Sequence, residues 1–82
     1  MKNLAKVGNN MKAVTDREQL GKILSEIKNN SGISYYKILK ECDIPVNAQK
    51  TLEKGTANYT IDTLFKFCKC IGATLYIKYS DE

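Results

Sequence analysis

Between residues 20 and 71 apolar residues recur at helical spacing, and each run ends at a glycine or a proline. Leu20, Ile23, Leu24 and Ile27 form one apolar stripe, the mark of a helix with one buried face. Thr15 followed by Glu18 has the form of a capping box, so this helix is expected to begin near Asp16. Asn-Asn-Ser-Gly at 29–32 stops it, with Gly32 as a left-handed cap. Ser34 reads as the next N-cap, ahead of a short helix with Ile38 and Cys42 on one face and Leu39 beside them. Of Tyr35 and Tyr36, one packs in the core and one is exposed; spacing from Ile38 does not decide which. Asp43 and Pro45 end this helix, because a proline disfavours helical backbone in the residue before it, here Ile44. Pro45 also suits the first turn of a further helix over 45–54, anchored by Leu52 and closed by Gly55.

Thr60 caps the last helix, and Asp62 favours its positive end. Ile61, Leu64, Phe65, Cys68 and Ile71 supply its predicted buried stripe, and Gly72 ends it. The period then changes. Leu75, Ile77 and Tyr79 alternate with Thr74, Tyr76 and Lys78, which predicts a strand over 73–79. In that strand Leu75, Ile77 and Tyr79 are expected to cover the helical core, with Tyr76 on the other face. A single strand leaves its N–H and C=O groups unpaired. Its partner is expected to be the same strand of a second copy, or a short strand from the N-terminal arm. The organisation is therefore a mobile basic arm over 1–14, with a short ordered piece at Met11–Val14, a helical domain over 15–72, and a strand with an acidic tail over 73–82.

Composition narrows the function. Eighty-two residues make one small domain, which buries only about 60–65% of its unfolded surface, and dimerisation is a natural source of added stability. Cys42, Cys68 and Cys70 are odd in number and no signal peptide is expected, so they read as reduced thiols in a cytoplasmic protein. A zinc site wants four ligands, and Cys68 and Cys70, two apart on a helix, point to different faces. No metal and no cofactor are expected. The chain has no histidine, no paired carboxylates and no phosphate-cradling loop, so it is not expected to be an enzyme. No apolar run reaches the roughly 20 residues of a membrane span. The formal charge of +4 is compatible with nucleic acid. Lys2, Lys6 and Lys12 contribute to it in the arm, where they are expected to solubilise rather than to track DNA.

Two short helices joined by a tight turn, between two longer amphipathic ones, make a helix-turn-helix arrangement. From about Gln19 to Ile71 the sequence resembles the phage-repressor-like (Cro/XRE-type) DNA-binding family, without gaps from Ile33 to Gly55. Ser34 stands where that family often has Thr, and Ile38, Cys42, Ile44 and Leu52 stand at its core positions. Leu-Glu-Lys-Gly at 52–55 is similar to its common ending of the second helix, and residues 58–72 are similar to the helix that follows. Three positions depart from the pattern: Leu39 where the family usually has Ala, Asp43 where it has Gly, and Gln49 where it has an apolar residue. The resemblance implies a mainly α fold, a lambda-repressor-like bundle of four to five helices with the helix-turn-helix at 33–55. The C-terminal strand is similar to that of antitoxins that repress their own toxin–antitoxin operons, where it pairs across a homodimer.

That resemblance implies a sequence-specific transcriptional repressor whose partners are double-stranded DNA, a second copy of the chain and, in the antitoxin subset, a toxin protein. Val46, Asn47, Lys50 and Thr51 are the expected base-reading residues. Asn can pair with adenine, Lys can reach guanine acceptors, and Val or the Thr methyl can touch the thymine methyl. Ser34, Tyr35, Lys37, Lys54, Asn58 and Tyr59 are the expected phosphate contacts. Leu75, Tyr76, Ile77 and Tyr79 are the expected dimerisation residues. Between Ile33 and Tyr59 four lysines stand against Glu41, Asp43 and Glu53, a net charge of +1, so affinity for arbitrary DNA is expected to be modest and easily lost to salt. The rival expectation is a protein-interaction module, a scaffold of the same shape that grips a protein partner without reading DNA.

Overall fold

The computed structural model describes residues 11–56 and 58–80. Among these residues the regular structure is four helices: α1 (Arg17–Ser31), α2 (Tyr35–Cys42), α3 (Val46–Lys54) and α4 (Ile61–Ile71). Their ends lie close to the places where the sequence carries caps and breakers. Ser34 Oγ accepts from the Lys37 amide at 3.1 Å, and Thr60 Oγ1 accepts from the Thr63 amide at 3.1 Å. Gly32, Gly55 and Gly72 close α1, α3 and α4 in the left-handed conformation. Two boundaries shift by one residue. The capping pair of α1 is Asp16 with Gln19, not Thr15 with Glu18: Asp16 Oδ1 accepts from the Gln19 amide at 2.8 Å, while Gln19 Oε1 accepts from the Thr15 amide at 3.0 Å. The aspartate meets the same need as a threonine cap and adds a charge that suits the positive helix end. Pro45 occupies the N-cap of α3 instead of its first turn, because its ψ of 149° is extended.

The core is Leu24, Ile38, Ile44, Leu52, Leu64, Phe67, Cys68 and Ile71. In α4 this corrects the predicted stripe. Phe67 is fully buried, whereas Ile61 and Phe65 are 63% and 52% exposed. Residues 64, 67, 68 and 71 have the same helical spacing as the predicted stripe, so periodicity alone does not select between two overlapping stripes. Packing selects, because α4 lies against both α1 and α2.

α1 also packs on α3, and glycine allows the close approach. A Cβ on Gly21 would sit 2.3 Å from the Glu53 carbonyl oxygen and 2.6 Å from that of Leu52. A Cβ on Gly55 would sit 2.6 Å from the Arg17 carbonyl oxygen. The backbones of the two helices therefore nearly touch at two points.

The expected strand over 73–79 is not formed; residues 73–80 have no regular structure. A strand needs a ladder of hydrogen bonds to a second strand, and among the described residues none pairs with this segment. Leu75, Ile77 and Tyr79 do not cover the core as expected: they are 40%, 90% and 77% exposed, and Tyr76 is 59% exposed. Residues 11–14 likewise carry no regular structure, so no fifth helix and no arm strand appears there. The rest of the basic arm, with Lys2 and Lys6, and the acidic end at Asp81 and Glu82 lie outside the described residues. Among the described residues no helix is long and apolar enough to cross a membrane.

Candidate nucleic-acid interface

α2 and α3 are separated by three residues, Asp43, Ile44 and Pro45, and each has a distinct task. Asp43 adopts φ 58°, the left-handed region, and its amide donates to the Leu39 carbonyl at 3.0 Å. It is the one non-glycine residue with positive φ among those described. Asp tolerates this conformation better than most residues do. Ile44 points into the core at 2% exposure, and Pro45 sets the extended entry into α3.

Gln49 then locks α3 against α2. Its side chain is fully buried, and its Nε2 donates to the Ile44 carbonyl at 2.8 Å and to the Tyr35 carbonyl at 3.0 Å. Its Oε1 is buried without a hydrogen-bond partner. At a site where an apolar residue was expected, an amide thus ties the turn and the first turn of α2 to one face of α3. Leu52, also fully buried, holds the same face to the core.

The opposite face of α3 is open. Asn47, Lys50 and Lys54 are exposed, and Val46 and Thr51 are half-buried. Thr51 Oγ1 donates to the Asn47 carbonyl at 3.0 Å, so its hydroxyl is already occupied. Ser34 and Lys37 are exposed at the start of α2, and Lys40 further along it joins the lysines of this region. The exposed neighbours Glu41 and Asp43 carry the opposing charge.

The other expected phosphate contacts are engaged within the fold. Tyr35 is the tyrosine of the pair that packs; its hydroxyl donates to Glu53 Oε1 at 2.6 Å, while Tyr36 is 64% exposed. That bond first, then burial and the carboxylate's charge, push the Tyr35 phenol above its usual range. Asn58 Oδ1 accepts from Arg17 Nη1 at 2.7 Å. Tyr59 is half-buried against the core, and burial raises its pKa.

Sequence reasoning missed three supports of this surface. Lys28 is buried, with its Nζ 4.0 Å from the centre of the Tyr35 ring; the Lys50 ammonium lies 5.5 Å from the same ring. Cation–aromatic contacts of this kind contribute about 0.5–2 kcal/mol each. The Glu53 carboxylate turns inward: its Oε1 accepts from the Tyr35 hydroxyl and its Oε2 is buried. Gly21 sets the height of α3 over α1. The signal for Lys28 was in the sequence: it lies four residues after Leu24, on the apolar stripe of α1.

The expected dimerisation residues lie elsewhere. Leu75, Tyr76 and Ile77 border an apolar groove of about 770 Å³ whose floor is α1 (Leu20, Ile23, Ile27) and whose other wall is α4. Among the described residues no cluster of three or more His, Cys, Asp or Glu side chains has metal-binding placement. No family model matches this chain, and no curated protein matches it.

Proposed function

We propose that this chain is a sequence-specific DNA-binding regulator of transcription, a repressor of the phage-repressor-like type. In this reading α2 and α3 form the helix-turn-helix and α3 enters the major groove. One observation carries the reading. α3 is fixed on its inner face by Leu52, the Gln49 amide and the close passage of Gly21, and it holds Asn47, Lys50 and Lys54 outward as a row of side chains fit for base edges and phosphates. A helix that reads bases must be held within a fraction of an ångström, and buried backbone contacts do this better than surface ones.

Asn47 and Lys50 are the base-reading residues, supported at the rim by Val46 and Thr51. Lys37 and Lys54 bind phosphates, and Ser34 offers its hydroxyl hydrogen beside them. Tyr35 positions Lys50 instead of binding phosphate, because its hydroxyl belongs to Glu53. A homodimer completes the proposal. The exposed Leu75, Tyr76, Ile77 and Tyr79 leave an apolar, unpaired segment that a two-fold mate can pair with, and two-fold symmetry supplies two half-sites.

The deciding experiment selects bound duplexes from a random library and then measures affinity for the consensus. A palindromic consensus is expected. Asn47→Ala and Lys50→Ala are each expected to cost about 1–3 kcal/mol in binding; the melting temperature is expected to stay unchanged for Asn47→Ala and to fall slightly for Lys50→Ala, which also loses its contact with the Tyr35 ring. Parent-like binding by both variants would sink the assignment of α3. Light scattering is expected to give a dimer for the full chain and a monomer for a chain ending at Gly72.

The apolar groove favours a second reading, a module that grips a protein, as an antitoxin grips its toxin. Failure to select any duplex, together with capture of the protein encoded beside this chain, would favour that reading.

A further inference from the structure

Cys42 and Cys70 are far apart in sequence, yet the fold brings them to one place on the surface. Cys42 is the last residue of α2, and Cys70 is the last but one of α4. These helices pack on each other, and the two cysteines line one open pocket of about 450 Å³ with Glu41, Lys66 and Lys69. Both thiols are half-buried, so a small molecule can reach them; Cys68 is 3% exposed and faces the core. Burial first, then the neighbouring Cys42 thiol, with Glu41 adding and Lys37 opposing, pushes the Cys70 pKa up to about 11.

We propose that Cys42 and Cys70 are a dithiol modification site, which a small anionic disulfide of the glutathione kind oxidises to a bridge between the C-terminal ends of α2 and α4. Lys66 and Lys69 at the pocket, with Lys37 close by, suit a carboxylate-bearing disulfide. Cys42, as thiolate, attacks one sulfur of that molecule. Its S–S bond breaks, one thiolate leaves, and a mixed disulfide remains on Cys42. Cys70 holds its proton tightly, so it acts second. Once it has lost the proton to solvent it attacks Cys42 Sγ, the Cys42–Cys70 bond forms and the second small thiolate leaves. Two electrons and two protons pass from the cysteines to the small disulfide, which ends as two thiols. The bridge ties the end of α2, next to the Asp43 turn, to the last helix, and the reaction is reversed by excess dithiol. The inference stands apart from DNA binding, since neither cysteine lies on α3.

The test incubates the full chain with excess oxidised glutathione at mildly alkaline pH and measures intact mass. The expected product has lost two hydrogens and keeps one alkylatable thiol of the three after unfolding. Its digest links the Cys42 peptide to the Cys70 peptide, and its melting temperature rises by roughly 10 °C over the reduced chain. Cys70→Ser is expected to stop at a stable glutathione adduct on Cys42, while Cys68→Ser bridges as the parent does. A bridge that uses Cys68, a lasting glutathione adduct on the parent, a covalent dimer, or an unchanged mass would each overturn the proposal.

Discussion

Gly21→Ala sets two effects of opposite sign against each other. Gly21 lies inside α1, where exchanging glycine for alanine stabilises an isolated helix by about 1 kcal/mol. The fold opposes this. The new Cβ would lie 2.3 Å from the Glu53 carbonyl oxygen, 2.6 Å from the Leu52 carbonyl oxygen and 2.8 Å from the Glu53 carbonyl carbon. Ordinary contact needs about 3.4 Å or more, so α1 and α3 must part by roughly 1 Å. All three obstructing atoms are backbone, and none can step aside by changing rotamer. Overpacking of this kind costs about 1–3 kcal/mol and occasionally more. The strain is concentrated where Leu52 and Gln49 seat α3, which places this case at the upper end. The expected net loss is about 1–2 kcal/mol of a total near 5–10 kcal/mol. For a domain of this size that lowers the melting temperature by about 5–15 °C. Urea unfolding of the parent and of Gly21→Ala measures it directly, with an alanine at the exposed neighbour Lys22 as the control for helix propensity. A variant as stable as the parent, or more stable, would refute the close α1–α3 contact. Because the shift moves α3, the DNA binding proposed above is expected to weaken in the same variant.

Two further outcomes follow from the turn and from Tyr35. Asp43 holds φ 58° without a glycine's freedom, so Asp43→Gly should raise stability by up to about 1 kcal/mol and Asp43→Val should lower it by about 1–2 kcal/mol. Denaturant midpoints in which valine equals glycine would contradict the left-handed turn. The Tyr35 phenol is raised by its bond to Glu53, so the neutral form is the one the fold favours. Its stabilisation is complete below the unfolded value of about 10 and is lost as pH rises through the higher folded value. Tyr35→Phe should therefore flatten part of the alkaline fall in melting temperature, leaving the parts due to Tyr59, Cys68 and Cys70, whose pKa values are also raised; equal slopes in parent and variant would show that the bond does not form.

Much of the helical framework was legible because its signals are local. A cap such as Ser34 or Thr60 satisfies donors two or three residues away, and Gly32, Gly55 and Gly72 meet a conformational need of the chain beside them. Locally, Asp43 and Pro45 marked only the end of α2; the left-handed conformation of Asp43 was suggested by the glycine that the resembling family usually has at that position. The exposed face of α3 followed once Leu52 was placed in the core. Signals that compare distant parts of the chain were less legible. Two stripes of equal spacing compete in α4, and the choice of Phe67 over Phe65 depends on what α1 and α2 present to that helix. The segment 73–79 has strand chemistry, but a strand is made by its partner, and the described chain offers none.

The sequence by itself determined the four helices, most of their caps and the short turn between α2 and α3, because neighbouring residues decide these through backbone conformation and local hydrogen bonds. Only the tertiary structure decided that Gln49 is a buried clamp, that Tyr35 gives its hydroxyl to Glu53, that Gly21 lets α1 touch α3, and that Cys42 and Cys70 line one pocket. Each of these joins residues from different helices. Their distances are set by how the helices pack, which no local pattern encodes.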